Sequence, residues 1–475
     1  MQAATRPMVV AGRRIPTFRE MGAWLVSEVR RTPRGLKLWY GLLGVFLAVG
    51  GVAALISIPP GWEVMGTTPQ FEWGLLIVAY VFFAIITSGL CLSASLGTVF
   101  GFERFLPFEK RHAILALLSL VTAFLVIALE LHYPIRMVFG AMLTPAPSSP
   151  MWWMGVFYGT YLVVLIIEVW TLFTNHPVIH KYACTACAIV AVFAPTTLGL
   201  VFGVLAAKPF WFGVFTPIQM VCTALTAGLA VLGIVFWAID RFKLAEHANA
   251  RPVAMPSIRL LMAIALVIVS VLLIRQMADA LLSPTVGMRE AAISLISGPL
   301  AIQFWGARVL VGLVIPAMLI AMPMTRTPWG LLGTSLAMLV GVFADRLNLV
   351  EAGQIYPRTT MAGAVSYPYA AYTPSLVEIG ILVFALAFFA MAYTLAERYL
   401  PMAGGDAHVF WPWPWIKKHH DHAEPGAADH AQPGAEDAGF AEADVAEAGF
   451  AEAGFAEADL LKRLAETTGT QETAL

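Results

Sequence analysis

The side chains with chemistry to offer are ionisable groups set inside or beside long apolar runs. Glu130, His132 and Arg136 share the segment IALELHYPIRM, and Arg275 and Asp279 stand four apart in a later run. Arg308 follows in the next run, Asp345 and Arg346 close the ninth, and Glu378 opens the tenth within YTPSLVEI. Gln219, after TPI, adds an uncharged polar group. A charge at mid-bilayer costs about 2.5–3.5 kcal/mol on insertion scales, so these groups are expected to face protein or a ligand rather than lipid. The spacing of Arg275 and Asp279 places opposite charges on one helical face. Such a group suits an amphipathic headgroup whose tail stays in lipid. A quinone fits, because its two carbonyl oxygens accept hydrogen bonds from Arg or His. Its two-electron reduction also takes up two protons, which carboxylates and His can relay. The same residues suit a structural ion-pair network that ties helices together.

The elements that must position them are helices. Of the 475 residues, 59% are hydrophobic and 12% charged, and several apolar runs exceed the roughly 20 residues that cross a bilayer core. Within hydrocarbon every backbone N–H and C=O must be paired inside the protein, which makes the runs helical. Ten spans are expected near 38–58, 73–102, 113–139, 151–174, 182–206, 213–240, 259–282, 299–322, 328–345 and 375–398. Residues 402–475 carry 14 acidic against 4 basic residues, whereas the preceding 401 carry 16 against 25. Positive charge marks the cytoplasmic side, and Arg6, Arg13, Arg14, Arg19, Arg30, Arg31, Arg34 and Lys37 lead the chain. The reading is a cytoplasmic basic segment over 1–37, an all-α transmembrane domain over 38–400 and a cytoplasmic low-complexity acidic tail over 401–475. Both termini are expected in the cytoplasm, with the chain passing many times through the inner, cytoplasmic membrane. The charged group then gathers towards the opposite side.

Glu168 and Glu103 belong to the cytoplasmic half. With Ser88, Ser93, Ser95 and Thr98 they suggest a hydroxyl-lined proton route, although serines also permit close helix packing. Cofactors find little support. His112, His176, His180 and His247 lie in or beside cytoplasmic connections and His132 has no partner at its depth, so a haem held by two His is not expected. Cys91, Cys184, Cys187 and Cys222 cannot supply a ferredoxin-type cluster domain. Cys184 and Cys187 form one CxxC, read as two small buried apolar side chains, and no metal site is expected. No glycine-rich fingerprint follows a strand, and basic loops suit orientation better than nucleic acid. In the tail, GFAEA recurs at 439–443, 449–453 and 454–458, a composition that favours disorder. His419, His420 and His422 can pick up metal adventitiously and are assigned no site.

Several stretches resemble one family. TSGLCLSASLGTVFGFERFLPFEKRHAILALLSL at 87–120 resembles its small-residue-rich second helix and following loop. MWWMGVFYGTYLVVLIIEVW resembles its aromatic-led fourth helix ending in Glu, and APTTLGLVFGVLAAKPFWFGVFTPIQMVCTALTAG its proline- and glycine-marked fifth and sixth helices. DRLNLVEAGQIYP and YTPSLVEIGI resemble its last connection and final helix. The family is that of NrfD/PsrC-like integral membrane subunits, in particular its ten-helix branch with the membrane subunits of hydrogenase-2 and of the dissimilatory-sulfite-reductase-associated complex.

The resemblance implies a membrane anchor of a respiratory or photosynthetic electron-transfer complex, not catalytic alone. It would exchange electrons between the quinone pool and a peripheral multi-cluster iron–sulfur subunit of ferredoxin type. Further catalytic or cytochrome subunits, membrane lipids and menaquinone or ubiquinone as substrate complete the set, without haem or a metal cluster in this chain. Glu130 falls at the family's helix-3 carboxylate, and Arg136 is a displaced counterpart of its arginine. The implied quinone-binding residues are His132, Arg136, Arg275 and Arg308. His132 or Arg136 would hold a quinone oxygen while Glu130 exchanges its proton, with Asp345 and Glu378 as relays or partners of the arginines. Glu168, Glu103 and Asp279 would form the proton path, making turnover electrogenic if that path is continuous. Two rivals are a proton-coupled secondary transporter, which would move solute by itself in liposomes, and a purely structural anchor.

Overall fold

In the computed structural model the described residues are 9–10, 13–14, 32–58, 64–131, 139, 143–174, 176–242, 251–356, 369–370, 372–400 and 402. They are mostly helical, joined by turns and short connections, with one two-residue antiparallel pair among them, Val9–Val10 with Arg13–Arg14. Ten helices are long and apolar enough to span a membrane. They are α1 (Arg34–Ser57), α2 (Leu75–Thr98), α3 (Glu109–Glu130), α4 (Pro150–Thr174), α5 (Pro177–Gly203), α6 (Phe215–Arg241) and α7 (Arg251–Leu281). A short α8 (Val286–Ile296) follows. Then come α9, whose π-helical Gln303–Val314 runs into α-helical Ile315–Ala321, α10 (Pro328–Ala352) and α11 (Leu376–Tyr399).

Eight of the ten spans lie close to their expected positions, and the other two differ at one end. α3 stops at Glu130 rather than 139. α10 continues through Asp345 and Arg346 to Ala352, because both charges are paired inside the protein and do not end the span. The expected limit at 37 falls inside α1, which begins at Arg34, and the one at 401 falls on a residue outside the described set.

The helices form two antiparallel groups. In the first, α2 packs on α3 and α5, and α4 packs on α5. In the second, α10 packs on α6 and α9, while α7 packs on α6. The seam between groups runs along α2 against α6, and α1 pairs with α11 on one flank. Nearly all of α2 is buried, consistent with its all-round apolar sequence. At the seam Gly89 and Gly228 bring two backbones together: a Cβ on Gly228 would sit 2.1 Å from the Gly89 carbonyl carbon. Small residues at such crossings are what let membrane helices approach. Gly228→Val (G228V) is therefore expected to abolish recovery of a monodisperse detergent-solubilised chain, read by size-exclusion chromatography.

Successive spans alternate in direction, giving two faces. The distal face carries the starts of α2, α4, α6 and α11 and the ends of α3, α5, α7 and α10; the basal face carries the opposite ends. On the basal side Arg259 closes the end of α9. Its guanidinium donates to the carbonyls of Thr325 at 2.8 Å, Ile320 at 2.8 Å and Leu319 at 3.2 Å, satisfying groups a helix end leaves open. Arg111 forks onto Glu397, joining α3 to α11.

Candidate functional site

Four helices place polar side chains in the apolar interior beneath the distal face. α9 supplies Arg308, α10 supplies Asp345 and Arg346, α6 supplies Gln219 and Thr223, and α7 supplies Gln276. All six are buried, Arg346 completely and Asp345 with 3% exposure. From the helix ends, at 1.5 Å per residue, they lie about 6–10 Å inside their distal termini, apart from the deeper Thr223. Asp345 is gripped from both sides: Oδ1 pairs with Arg308 and Oδ2 with Arg346. Gln219 donates to Asp345 Oδ1 at 3.2 Å and to Gln276 Oε1 at 3.4 Å, which also accepts from Arg308 at 3.4 Å. Arg346 reaches Thr223 Oγ1 at 3.0 Å and the Met220 sulfur.

Two guanidiniums around one carboxylate leave a formal excess of one positive charge where water is scarce. The surplus is matched by polar atoms without a hydrogen-bond partner among the described residues, namely Arg346 Nε, Gln219 Oε1 and both polar atoms of the Asn348 side chain. Buried polar groups are normally satisfied, and exceptions call for an explanation. Arg308 lies on the π-helical stretch, a distortion frequent at functional sites.

A second group lies closer to the distal surface. Glu378 opens α11 as part of a capping box with Ser375, and it is fully buried. Its Oε2 accepts from the backbone N–H of Gly66 at 2.9 Å and of Ser375 at 2.8 Å, and its Oε1 from the Tyr372 hydroxyl at 2.7 Å. Gly74 makes room: a Cβ there would stand 2.4 Å from Oε1. Burial, then the Glu378 charge, push the Tyr372 phenol far above its ordinary value, so it remains a donor. Glu130, ending α3, is an electrostatic neighbour of Glu378, and its Oε2 is buried without a hydrogen-bond partner among the described residues. Gln354 clamps the Trp73 backbone, accepting at 3.0 Å and donating at 2.9 Å. Trp73 stacks on Trp211 with centroids 5.0 Å apart, and Trp211 donates to the Leu349 carbonyl at 2.6 Å.

Of the residues singled out in the sequence, Gln219, Arg308, Asp345 and Arg346 meet in one cluster, and Glu130 lies within electrostatic reach of Glu378 in the other. Arg275 and Asp279 do not join them. They pair with each other at 3.1 Å on the outer side of α7, with 68% and 51% of their side chains exposed. The i,i+4 geometry is as expected, but the face they share points away from the bundle. A pair this exposed contributes about 0.3–0.5 kcal/mol, so the double variant Arg275→Ala, Asp279→Ala (R275A/D279A) is expected to shift stability by no more than that and to change turnover less than twofold. His132 and Arg136 lie outside the described residues, as does the side chain of Glu103. Glu168 is buried on the basal half of α4. Of the hydroxyls expected to line a route, Ser93, Ser95 and Thr98 on α2 donate to the carbonyls of Leu90, Leu92 and Ala94 of their own helix.

In the sequence His180 stands out only as a histidine of a cytoplasmic connection and Cys184 only as half of a CxxC, and nothing singles out Gln276, Tyr372 or Glu109. Glu109 and His180 are obscured because basic neighbours make their segments look like solvated loops.

These features define a polytopic helical membrane protein with a charged, buried site beneath one membrane face. A family model, "Polysulphide reductase, NrfD", matches residues 63–358, and the chain belongs to the NrfD family. It is similar to a selenate reductase subunit of Mesobacillus selenatarsenatis, 22% identical over 434 residues, covering 82% of this chain and 97% of that protein. It is also similar to the Hdr-like menaquinol oxidoreductase integral membrane subunit of Archaeoglobus fulgidus, 22% identical over 352 residues, with coverage of 71% and 86%.

Proposed function

We propose that the chain is the membrane subunit of an oxidoreductase complex and that it exchanges electrons between the quinone pool and a peripheral iron–sulfur subunit docked on the distal face. The observation that supports this most is the Arg308–Asp345–Arg346 cluster, cationic and buried below that face, with donor groups left over. A quinone headgroup is planar, apolar at its edges and acceptor-rich at two oxygens, the chemistry such donors select. The menaquinol oxidoreductase relationship points to the same substrate class.

In this reading Arg308 and Arg346 orient one quinone oxygen and favour negative charge developing there, and Asp345 holds both guanidiniums in place. Glu130, whose Oε2 has no hydrogen bond among the described residues, takes and returns a proton, with Glu378 beside it as the next acceptor towards the distal surface. Quinol oxidation releases two protons and two electrons; the electrons leave to the iron–sulfur partner and the protons through these carboxylates. Electron flow in the opposite direction uses the same groups.

Arg308→Gln (R308Q) tests this. It removes the surplus positive charge, leaving Asp345 paired with Arg346, so assembly is expected to survive. Quinol oxidation by membranes containing the complex is expected to fall about 100-fold, the scale on which removing one preorganised donor acts. Normal turnover in an assembled R308Q complex would return the cluster to a structural ion-pair network.

A further inference from the structure

A different group, at the basal ends of three helices, lies apart from the distal clusters. Glu109 begins α3, His180 and Cys184 lie one turn apart at the start of α5, and Glu168 is near the end of α4. All four are buried, with exposures of 7%, 7%, 4% and 4%. Glu109 Oε1 stands 2.7 Å from His180 Nε2. Cys184 Sγ lies 3.4 Å from His180 Nε2, 3.7 Å from Glu109 Oε1 and 3.7 Å from Glu168 Oε1. The ligand-capable atoms of Glu109, His180 and Cys184 all fall within 4.8 Å of one another.

We propose that Glu109, His180, Cys184 and Glu168 form a binding site for one divalent cation of zinc type, fastening α3, α4 and α5 together at the basal face. Three observations support it. Zinc takes Cys sulfur at about 2.3 Å, His nitrogen at about 2.0–2.1 Å and carboxylate oxygen at about 2.0–2.2 Å in a tetrahedron, whose edges are then about 3.3–3.6 Å. The three distances from Cys184 Sγ lie within a few tenths of an ångström of that range; the Glu109–His180 edge must open, and the Glu168 carboxylate must swing towards the other two ligands.

The second observation is the outer partner of the histidine. His180 Nδ1 lies 3.0 Å from Thr171 Oγ1, which itself lies 2.8 Å from the Glu168 carbonyl. Nε2 faces Glu109 and Cys184, so with Nδ1 held by the threonine it is the ring atom placed to ligate, the arrangement in which an outer hydrogen bond holds a metal-binding His. Third, Glu168 Oε2 is buried with no hydrogen-bond partner among the described residues, which leaves that carboxylate a ligand position. The i,i+4 placement of His180 and Cys184 on one helix face is the spacing by which helices offer paired ligands. This site departs from the absence of metal expected on the sequence, where Cys184 reads as one half of a CxxC with Cys187.

The test uses the full-length chain in detergent with His419, His420 and His422 replaced by alanine, so that the tail cannot bind the probe. After metal stripping and titration with Co2+, one equivalent per chain is expected, with the visible bands of tetrahedral cobalt and a thiolate charge-transfer band. Zn2+ should displace it. Cys184→Ser (C184S) should remove the charge-transfer band. His180→Ala (H180A), Glu168→Gln (E168Q) and Thr171→Val (T171V) should each weaken binding by about 10–100-fold. Cys91→Ser (C91S) should bind as the parent does. Should a variant misfold, the parent alone decides: no stoichiometric cobalt, or cobalt without the charge-transfer band, overturns the site. Loss of proton uptake in H180A or E168Q with no metal bound by the parent would overturn it too, and identify a proton relay instead. Cobalt binding by the parent is read without quinone turnover, so failure of this site leaves the quinone reading standing.

Discussion

Asp345→Asn (D345N) is expected to produce the largest single loss. Among the described residues the carboxylate is the sole anion between Arg308 and Arg346, and both guanidiniums are nearly or wholly buried. Neutralising it leaves two positive charges facing each other without water. Removing one partner of a buried ion pair costs about 3–5 kcal/mol, much of a typical domain's total stability, so recovery of the assembled complex should collapse. The combined variant R308M/D345L/R346M should behave oppositely. Replacing an entire buried charge group by apolar side chains of similar volume is often neutral or stabilising by about 1–4 kcal/mol. The triple variant is therefore expected to assemble and melt near the parent temperature while losing quinone-linked turnover. A triple variant that assembled and turned over normally would show the charges to be a structural tie alone.

Glu130→Gln (E130Q) separates function from folding more cleanly still. Its Oε2 makes no hydrogen bond among the described residues, and the amide keeps the shape of the carboxyl group near Glu378. Stability should thus hold within about 0.5 kcal/mol, the usual range for substitutions that break no contact. Loss of a positioned proton acceptor lowers rates by about 10²–10⁴-fold, and quinol oxidation by the assembled complex is expected to fall in that range. Glu378 differs in this respect. Three donors converge on its carboxylate, so its replacement mixes capping loss with any loss of proton transfer and reads less clearly.

The spans and their order are legible because bilayer thickness and backbone pairing leave apolar runs little choice. Charges are legible as unusual, but their direction is not. Arg275 and Arg308 look alike in sequence, each a lone cation in an apolar run, yet one faces outward beside its own Asp279 and the other inward to Asp345 on a different helix. The difference lies in which side of α7 and α9 meets α6 and α10, and packing between helices decides that. Asp345 reads as the end of a span because its partners, Arg308 and Gln219, are distant in the chain. The serines of α2 suggest a wet route, whereas their hydroxyls satisfy carbonyls of their own helix. Glu109 and His180 are hidden by the basic residues around them, which mark topology and say nothing of what the buried members touch.

The most direct test is where a quinone lands. A photoreactive quinone analogue, irradiated with membranes containing the intact complex and mapped by peptide mass spectrometry, is predicted to label the distal segments around Glu130, Gln219, Arg308, Asp345–Gln354 and Tyr372–Glu378. Excess unlabelled quinol should compete, and R308Q should reduce the labelling. Competed labelling confined to other surfaces of the bundle, or no labelling of this chain while a partner protein is labelled, would contradict quinone exchange at this site.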